Sequence, residues 1–228
     1  MQPYFFPYIG YYQLAHSVDE FIFYDDAAYI KQGYINRNRI LLNSEPHTFS
    51  LAIHNASSFR PINEHHYLNN FGKLKKQLHA AYSKAPFFQE AMNLVVQILD
   101  DEDTSVSLKN ALTLTKVFDY LELERTFTFS SSIKIENEIR GQDRVIEICK
   151  KKSSTNYINS SGGKALYSTA DFTENGIELR FIETGNVRYD QKKPNFTPNL
   201  SMIDALMWCD KGSIIKHLQN YTLTSNDP

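Results

Sequence analysis

Cysteine is scarce in this chain: there are two among 228 residues, Cys149 and Cys209. Both stand in apolar, helix-patterned stretches, which reads as two buried free thiols and excludes a disulfide-stapled scaffold. No apolar run approaches the ~20 residues that span a bilayer, and no charged-then-apolar signal peptide opens the chain. The cytoplasm is therefore the default compartment. Charge of one sign is also missing: 24 Lys and Arg stand against 26 Asp and Glu, and a formal net charge of −2 is not the field of a nucleic-acid binder. CxxC, HExxH, GxSxG and GxxxxGK(S/T) are all lacking, so no zinc site, hydrolase elbow or P-loop is read. The histidines add nothing metal-like. His65 and His66 are adjacent, which points their rings apart on a helix, and His47 and His54 fall on opposite faces of a strand-like stretch. A chain of this length buries roughly 70% of the surface its unfolded form exposes, enough for one domain over 1–228 without staples.

What the chain has in excess is aromatic side chains: 15 Phe, 14 Tyr and one Trp, twelve of them within residues 1–54. Met1-Gln2-Pro3-Tyr4-Phe5-Phe6-Pro7 reads as the end of an extended segment without its beginning, as though the first strand were clipped. Gly10–His16 follows as a short crossover helix. Phe21-Ile22-Phe23-Tyr24, bounded by Asp25-Asp26, fits a buried parallel strand, and Thr48–Ile53 gives a second strand pattern. Residues 64–123 are helical in pattern. Leu68, Phe71, Leu74, Leu78 and Tyr82 recur at helical spacing, and Met92, Val95, Val96 and Leu99 form a second face after Pro86. Thr104 is placed to cap a third helix whose inward face is Ala111, Leu114, Phe118 and Leu121. The acidic run Asp100–Asp103 reads as a solvated connection.

Beyond residue 124 alternation returns, with Phe127 and Phe129 in one strand, Asn156–Ile158 in another and Ile177, Leu179 and Phe181 in a third. Gln142–Lys151 reads as a helix, Ser201-x-x-Asp204 opens a helix as a capping-box variant, and Ser213 caps the last one. Strands alternating with helices predict an α/β fold, Rossmann-like, with a mostly parallel sheet and a helical insertion at about 64–123. Ligands of such sheets bind beyond the carboxyl ends of the strands, which selects the segments after Phe6, Tyr24, Phe129 and Ile158.

Three segments carry candidate chemistry. In Gln2–Gly10 two prolines fix the backbone while Tyr4, Phe5, Phe6 and Tyr8 build an aromatic wall beside Gly10, a residue that permits close approach. The second is Asp25-Asp26 with Tyr29, Lys31 and Asn36-Arg37-Asn38-Arg39. Two carboxylates at a strand end can hold Mg²⁺, act as a base or accept hydroxyl and ammonium donors, and the cations can neutralise a phosphate. The third is Asn159-Ser160-Ser161-Gly162-Gly163-Lys164, whose free backbone N–H groups and lysine suit an anion. Each has a plainer counterpart: a core-forming strand and turn, a surface ion-pair network, and an ordinary strand–turn–helix connection.

The chain resembles the WbqC-like family of bacterial proteins. The resemblance rests on MQPYFFPYIGYYQL at 1–14, YDDAAYIKQGYINRNRI at 24–40, GQDRVIEICK at 141–150, YINSSGGKALY at 157–167, GIELRF at 176–181 and FTPNLSMIDAL at 196–206. Tyr34 departs from it where the aromatic is often Trp, and Asn159-Ser160-Ser161 replaces a stretch that often contains Pro. That family occurs in gene clusters for O-antigen and other surface polysaccharides, and some members are labelled glycyl or acyl transferases acting on amino sugars. A looser resemblance is to nucleotidyltransferases of the HIGH superfamily, in which a strand, a H-x-G-H turn, a helix and a second strand follow one another. Tyr8-Ile9-Gly10-Tyr11 has that spacing with both histidines replaced, and Ile158–Ser161 stands roughly where that superfamily carries its phosphate loop. Neutral tyrosine stabilises phosphate charge less well than histidine.

These resemblances imply a transferase of surface-polysaccharide assembly, moving an aminoacyl group, glycyl above all, or an acyl group to the amine of a nucleotide-linked amino sugar. Asp25, Asp26 and Lys31 are the catalytic candidates. Gln2, Asn36 and Asn38 would orient sugar hydroxyls, Tyr4, Tyr8, Tyr11 and Tyr29 would stack on base or sugar beside Gly10, and Arg37, Arg39 and the 159–164 loop would hold phosphates. An ATP-dependent adenylating or nucleotidyl-transferring enzyme and a non-catalytic sugar-nucleotide-binding protein stay open as alternatives. ATP or Mg²⁺ as cofactor and homo-oligomerisation stay open too. The expected partners are a nucleotide sugar or amino sugar and an acyl donor. No nucleic acid is expected unless an aminoacyl-tRNA is that donor, and no membrane insertion.

Overall fold

The structure is a computed structural model that describes residues 1–136 and 138–225. In chain order its elements are α1 (Ile9–His16), β1 (Glu20–Phe23), β2 (Arg37–Leu42), β3 (Glu45–Ser50), α2 (Gly72–Tyr82), α3 (Phe88–Leu99), α4 (Val106–Tyr120), β4 (Thr126–Phe129), α5 (Gly141–Lys151), β5 (Asn156–Ser160), α6 (Thr169–Glu174), β6 (Glu178–Thr184), α7 (Met202–Trp208), α8 (Lys211–Gln219) and β7 (Tyr221–Thr224).

The fold is mixed α/β, and its sheets are small. β1 pairs with β4 in parallel, with Phe21 opposite Phe127 and Phe23 opposite Phe129. That register stacks the rings, with Phe23 and Phe127 centroids 5.8 Å apart and nearly coplanar in orientation, so alternating Phe on both strands builds one aromatic layer. β2 and β3 form a hairpin closed by Asn43-Ser44. Both turn residues have positive φ, 53° and 62°, as a two-residue turn matching the strand twist requires. β5 runs parallel to β6, which carries β7 on its other edge as an antiparallel partner. Of these three sheets the largest has three strands.

Apolar periodicity identified the helices, and capping chemistry shifted their starts. The inward faces of α2, α3 and α4 enter the same core as Phe5, Phe6 and Tyr12 from the chain's start. Leu68 precedes α2 and is largely exposed. Ser105, not Thr104, is the N-cap of α4, its hydroxyl accepting from the Leu108 amide at 3.5 Å. Asp210, not Ser213, caps α8, its carboxylate accepting from both the amide and the hydroxyl of Ser213 at 2.9 and 2.7 Å. Ser201 caps α7 as its spacing predicts, but Asp204 does not reach back to complete a box; it turns into the core. β3 begins and ends three residues before the predicted Thr48–Ile53 span. Cys149 and Cys209 are free and buried, and burial pushes their thiols up to about 11 and about 12, with Asp204 and Asp210 adding to the second.

The opening segment is held by side chains where a strand would use a ladder. Met1 runs beside β1, its amino group donating to Ile22 O and its carbonyl accepting from the Tyr24 amide. Residues 2–7, expected as the end of a strand, belong to no strand. Buried backbone without a ladder must find other partners, and the polar face of α4 supplies them. Asn110 donates to Pro3 O and Ile35 O at 3.0 and 2.7 Å, and the Thr113 hydroxyl accepts from the Phe6 amide at 3.1 Å. Lys109 is wholly buried on the same helix and donates to Ile98 O and Asp101 O, both at 3.0 Å, which satisfies carbonyls at the end of α3.

Candidate ligand cleft

Phe6 is the pivot. Its φ of 40° lies in the left-handed region, a conformation a bulky residue adopts at a cost of about 1–2 kcal/mol. Its amide is fixed by Thr113, and its carbonyl accepts from Asn38 Nδ2 at 2.6 Å and from the Ser201 hydroxyl at 2.8 Å. The next carbonyl, Pro7 O, accepts from the Met202 amide at 2.9 Å, and Arg39 O accepts from the Ser201 amide at 2.8 Å. N-terminal segment, β2 and the start of α7 are thereby locked together, and the forced bend at Phe6 delivers Pro7 and Tyr8 to a cleft of about 580 Å³.

Three parts of the chain line that cleft. Tyr4, Pro7 and Tyr8 form one wall, Tyr34, Asn38 and Arg39 a second, and Ser161, Glu183 and Thr184, at the carboxyl ends of β5 and β6, a third, with Asn199 closing one corner. A volume of this size takes a drug-sized or nucleotide-sized ligand. Gly10 makes the close packing workable: a Cβ there would stand 2.4 Å from the Tyr8 ring and 2.6 Å from Thr184 Oγ1. The Tyr4 and Tyr8 phenols are raised above their ordinary value by burial, so both stay protonated at neutral pH and offer an apolar face with a neutral hydroxyl.

The cleft's charges are one cation and one carboxylate. Arg39 donates through Nη2 to Asn199 O at 3.3 Å, and its buried Nε has no hydrogen-bond partner. Among the described residues no carboxylate lies within ion-pair reach of it. Glu183 is paired with Lys164 at 3.0 Å, both side chains being well exposed. A guanidinium not committed to an acid suits a phosphate or carboxylate, and a carboxylate across the same cavity suits an ammonium or sugar hydroxyls.

Of the residues singled out in the sequence, Tyr4, Tyr8, Asn38, Arg39 and Ser161 come together here, with Gly10 directly beneath. Tyr11 is buried, and its hydroxyl donates to Gln2 O at 2.7 Å. Tyr29 donates to Asn36 Oδ1 at 2.9 Å and Asn36 donates to Leu51 O at 2.7 Å, a pair that secures the entry to β2. Arg37 lies over the Tyr34 ring at 5.7 Å, and Lys31 is exposed on the turn before it. In the 159–164 loop Asn159 is buried and accepts from the Ser160 amide, Gly163 lies against the Asn159 amide, Gly162 is open, and Ser161 reaches the cleft.

Asp25 and Asp26 are among neither the lining residues nor their hydrogen-bond partners. Asp25 is buried and accepts from the Ser131 amide and hydroxyl at 3.0 and 2.7 Å, from the Ser130 hydroxyl at 3.2 Å and from Asn63 Nδ2 at 3.2 Å. Asp26 accepts from the Ser130 hydroxyl at 2.5 Å and pairs with Arg144. The two carboxylates tie the carboxyl ends of β1 and β4 to the 130–132 turn and to α5. No group of three or more His, Cys, Asp or Glu side chains is placed to hold a metal among the described residues.

Tyr34, Glu183, Thr184 and Asn199 also line the cleft and were not among the candidates named from the sequence, whereas Pro7 lay within the Gln2–Gly10 segment. The strand-end rule would have found Glu183 and Thr184 had it been applied to the alternation at 177–181. Asn199 arrives on a loop whose course depends on long-range bonds.

The sequence profile of the WbqC-like protein family matches residues 2–215. A Mycobacterium tuberculosis protein described only as uncharacterized is 25% identical over 211 residues, 90% of either chain. No solved structure matches.

Proposed function

The chain belongs to the WbqC-like protein family, and from that premise and the chemistry of the cleft we propose that it is a transferase of surface-polysaccharide assembly that binds a nucleotide-activated amino sugar. Its reaction is transfer of an aminoacyl group, glycyl being the favoured case, or of an acyl group to the sugar amine. The amine nitrogen attacks the donor's acyl carbonyl, a C–N bond forms, the donor's C–O or C–S bond breaks, and the ammonium proton leaves through a base to the departing group. The single observation that carries the reading is the presence of Arg39, which has no ion-pair partner among the described residues, and Glu183, paired with Lys164, in the lining of one tyrosine-rich cavity. Arg39 is assigned the diphosphate, Tyr4, Tyr8 and Tyr34 the base and sugar faces, Asn38 and Asn199 the hydroxyls, and Glu183 the amine.

The Rossmann-like frame belongs to the same proposal, with β1·β4 and β5·β6 as its parallel pieces, α2–α4 as its insertion, and a cytoplasmic location. The test is calorimetric titration of the purified chain with nucleotide-linked amino sugars, followed by transfer of labelled glycine. Arg39→Ala should weaken nucleotide-sugar binding at least about tenfold, the scale of a lost charge-assisted hydrogen bond. Glu183→Gln should retain binding and lose transfer. Absence of binding by every nucleotide sugar removes the reading. Full transfer in Asp25→Asn and Asp26→Asn removes those two from the chemistry and leaves them with the strand ends.

A further inference from the structure

We propose that the turn regions 28–34 and 57–60, beside the cleft mouth, form a docking surface for an anionic lipid bilayer. Residues 27–62 contain Lys31, Arg37, Arg39 and Arg60 but only one acid, Glu45, in a chain whose net charge is −2. Among the described residues none of those four cations forms an ion pair, whereas nine other Lys and Arg side chains do. Glu45 sits at the far end of the β2–β3 hairpin, paired with Leu42. That segment is therefore net positive in a chain whose remaining residues are net negative.

Apolar side chains stand out from the same place. Phe59 is 98% exposed, Ile30 50% and Tyr34 49%. A short antiparallel ladder holds the two turns side by side, with the Ile62 amide on Ala27 O, a bridge between Ala28 and Pro61, and the Tyr29 amide on Arg60 O. The Phe59 turn is braced from within: its amide donates to the Ser57 hydroxyl at 3.2 Å, and Arg60 donates to Asn55 O. Turns that push single apolar side chains outward next to cations without ion pairs fit a fluid interface, which needs no complementary shape. Rings enter the headgroup boundary while Lys and Arg meet lipid phosphates. A protein partner would need a continuous face of about 800 Å², and an RNA partner has no use for Ile30. Tyr34 belongs both to this surface and to the cleft wall, so docking would set the cleft mouth against the membrane. The surface is peripheral: no helix among the described residues is long and apolar enough to cross a membrane. Arg39 belongs to the cleft, and the surface stands on Lys31, Arg37 and Arg60 without it, so the inference does not depend on what the cleft binds.

The experiment is co-sedimentation of the full chain with phosphatidylcholine vesicles, with and without phosphatidylglycerol. Binding is expected only to the anionic vesicles, and should vanish near ~1 M salt, where the Debye length falls to about 3 Å. Lys31→Gln should weaken it about fivefold, the scale for one basic residue near a charged leaflet. Phe59→Ser, at a side chain buried against nothing, should weaken it by a similar or larger factor with the far-UV spectrum unchanged. Equal retention on neutral and anionic vesicles, or none on either, overturns the proposal. So does a concentration-dependent dimer abolished by Phe59→Ser in a chain that ignores vesicles, which assigns the patch to a second copy. Retention of tRNA without lipid binding overturns it in favour of nucleic acid.

Discussion

Substituting Asp204 by Asn tests how the Asn199 corner of the cleft is held. Asp204 is fully buried at the start of α7, where one oxygen accepts from Tyr82 OH at 2.7 Å and the other from Tyr189 OH at 2.8 Å and Gln191 Nε2 at 2.9 Å. Gln191 in turn donates to Thr197 O and accepts from the Thr197 amide, which fixes the loop that carries Asn199 to the cleft. Asparagine has one oxygen, so its amide must face at least one buried donor. An unsatisfied buried donor costs about 1–3 kcal/mol, and for a chain of this size each kcal/mol lowers Tm by about 2–4 °C, giving a fall of roughly 2–12 °C. Burial raises the Asp204 carboxyl above the ordinary carboxylate value, against the three hydrogen bonds that pull it down.

The sign of the pH dependence follows from that direction. The native state keeps a proton that the unfolded chain releases near about pH 3.9. Asp204's share of stability is thus fully present below about pH 4 and is lost as pH rises through the raised native value. The variant has no proton to lose, so the Tm gap between wild type and Asp204→Asn should be widest near about pH 4 and narrow toward neutrality. Limited trypsin digestion reports on the loop itself, because Arg188 and Lys192 are exposed there. Cleavage after these residues should accelerate in the variant. A gap that widens with pH, or unchanged digestion, refutes the reasoning.

Gly10→Ala should weaken ligand binding about tenfold or more and lower stability by about 1–3 kcal/mol, because the added methyl overlaps Tyr8 and Thr184, which both line the cleft. Titration and thermal melts of the same variant check both halves. Lys109→Met removes the ammonium that satisfies Ile98 O and Asp101 O, so chemical denaturation should read a loss of about 2–4 kcal/mol despite the similar side-chain volume. Thr113→Val, nearly isosteric, leaves the Phe6 amide without its acceptor and should destabilise by about 1–3 kcal/mol, measured as a shift in denaturation midpoint at constant slope.

Periodicity reads what repeats locally and is blind to bonds that span a hundred residues. The faces of α2, α3 and α4 were legible because Leu74, Leu78, Val95, Leu114 and Phe118 recur at helical spacing and are buried together. Parallel β1 and β4 were legible as apolar runs, though not as partners. β2 escaped because its inward positions include Asn38, a polar residue buried for its bond to Phe6 O. The hairpin turn escaped because Asn-Ser is a weaker signal than Asn-Gly. Asp25 illustrates the same limit from the other side. The serines that hydrogen-bond Asp25 follow β4 and lie more than 100 residues away, a placement no local pattern shows. The strand-end rule did locate a real junction of strands; it did not say which junction leaves room for a ligand.

That distinction bears on which of the proposed chemistries the opening segment can support. In the H-x-G-H arrangement both outer side chains act on phosphate, and here their places are taken by Tyr8 and Tyr11. Only Tyr8 faces the cleft. Tyr11 lies beneath it with its hydroxyl spent on Gln2 O, and burial holds its phenol far above the ordinary value, so it is neutral and occupied. A nucleotidyl or adenylyl transfer on this turn would therefore rely on one neutral hydroxyl and Arg39 to stabilise charge on the moving phosphate. Preorganised donors aimed at developing charge supply about 2.7–4 kcal/mol each when they are present, and one of the two is absent by geometry. Acyl transfer to an amine develops its charge on the acyl carbonyl oxygen and not on the phosphates, which are bound but do not react. In the proposed chemistry Tyr8 and Arg39 would hold the nucleotide and Glu183 would face the amine. Mixing the chain with ATP and candidate acids separates the two: pyrophosphate release restores the adenylating reading, and its absence alongside labelled glycyl transfer leaves amide formation as the reaction.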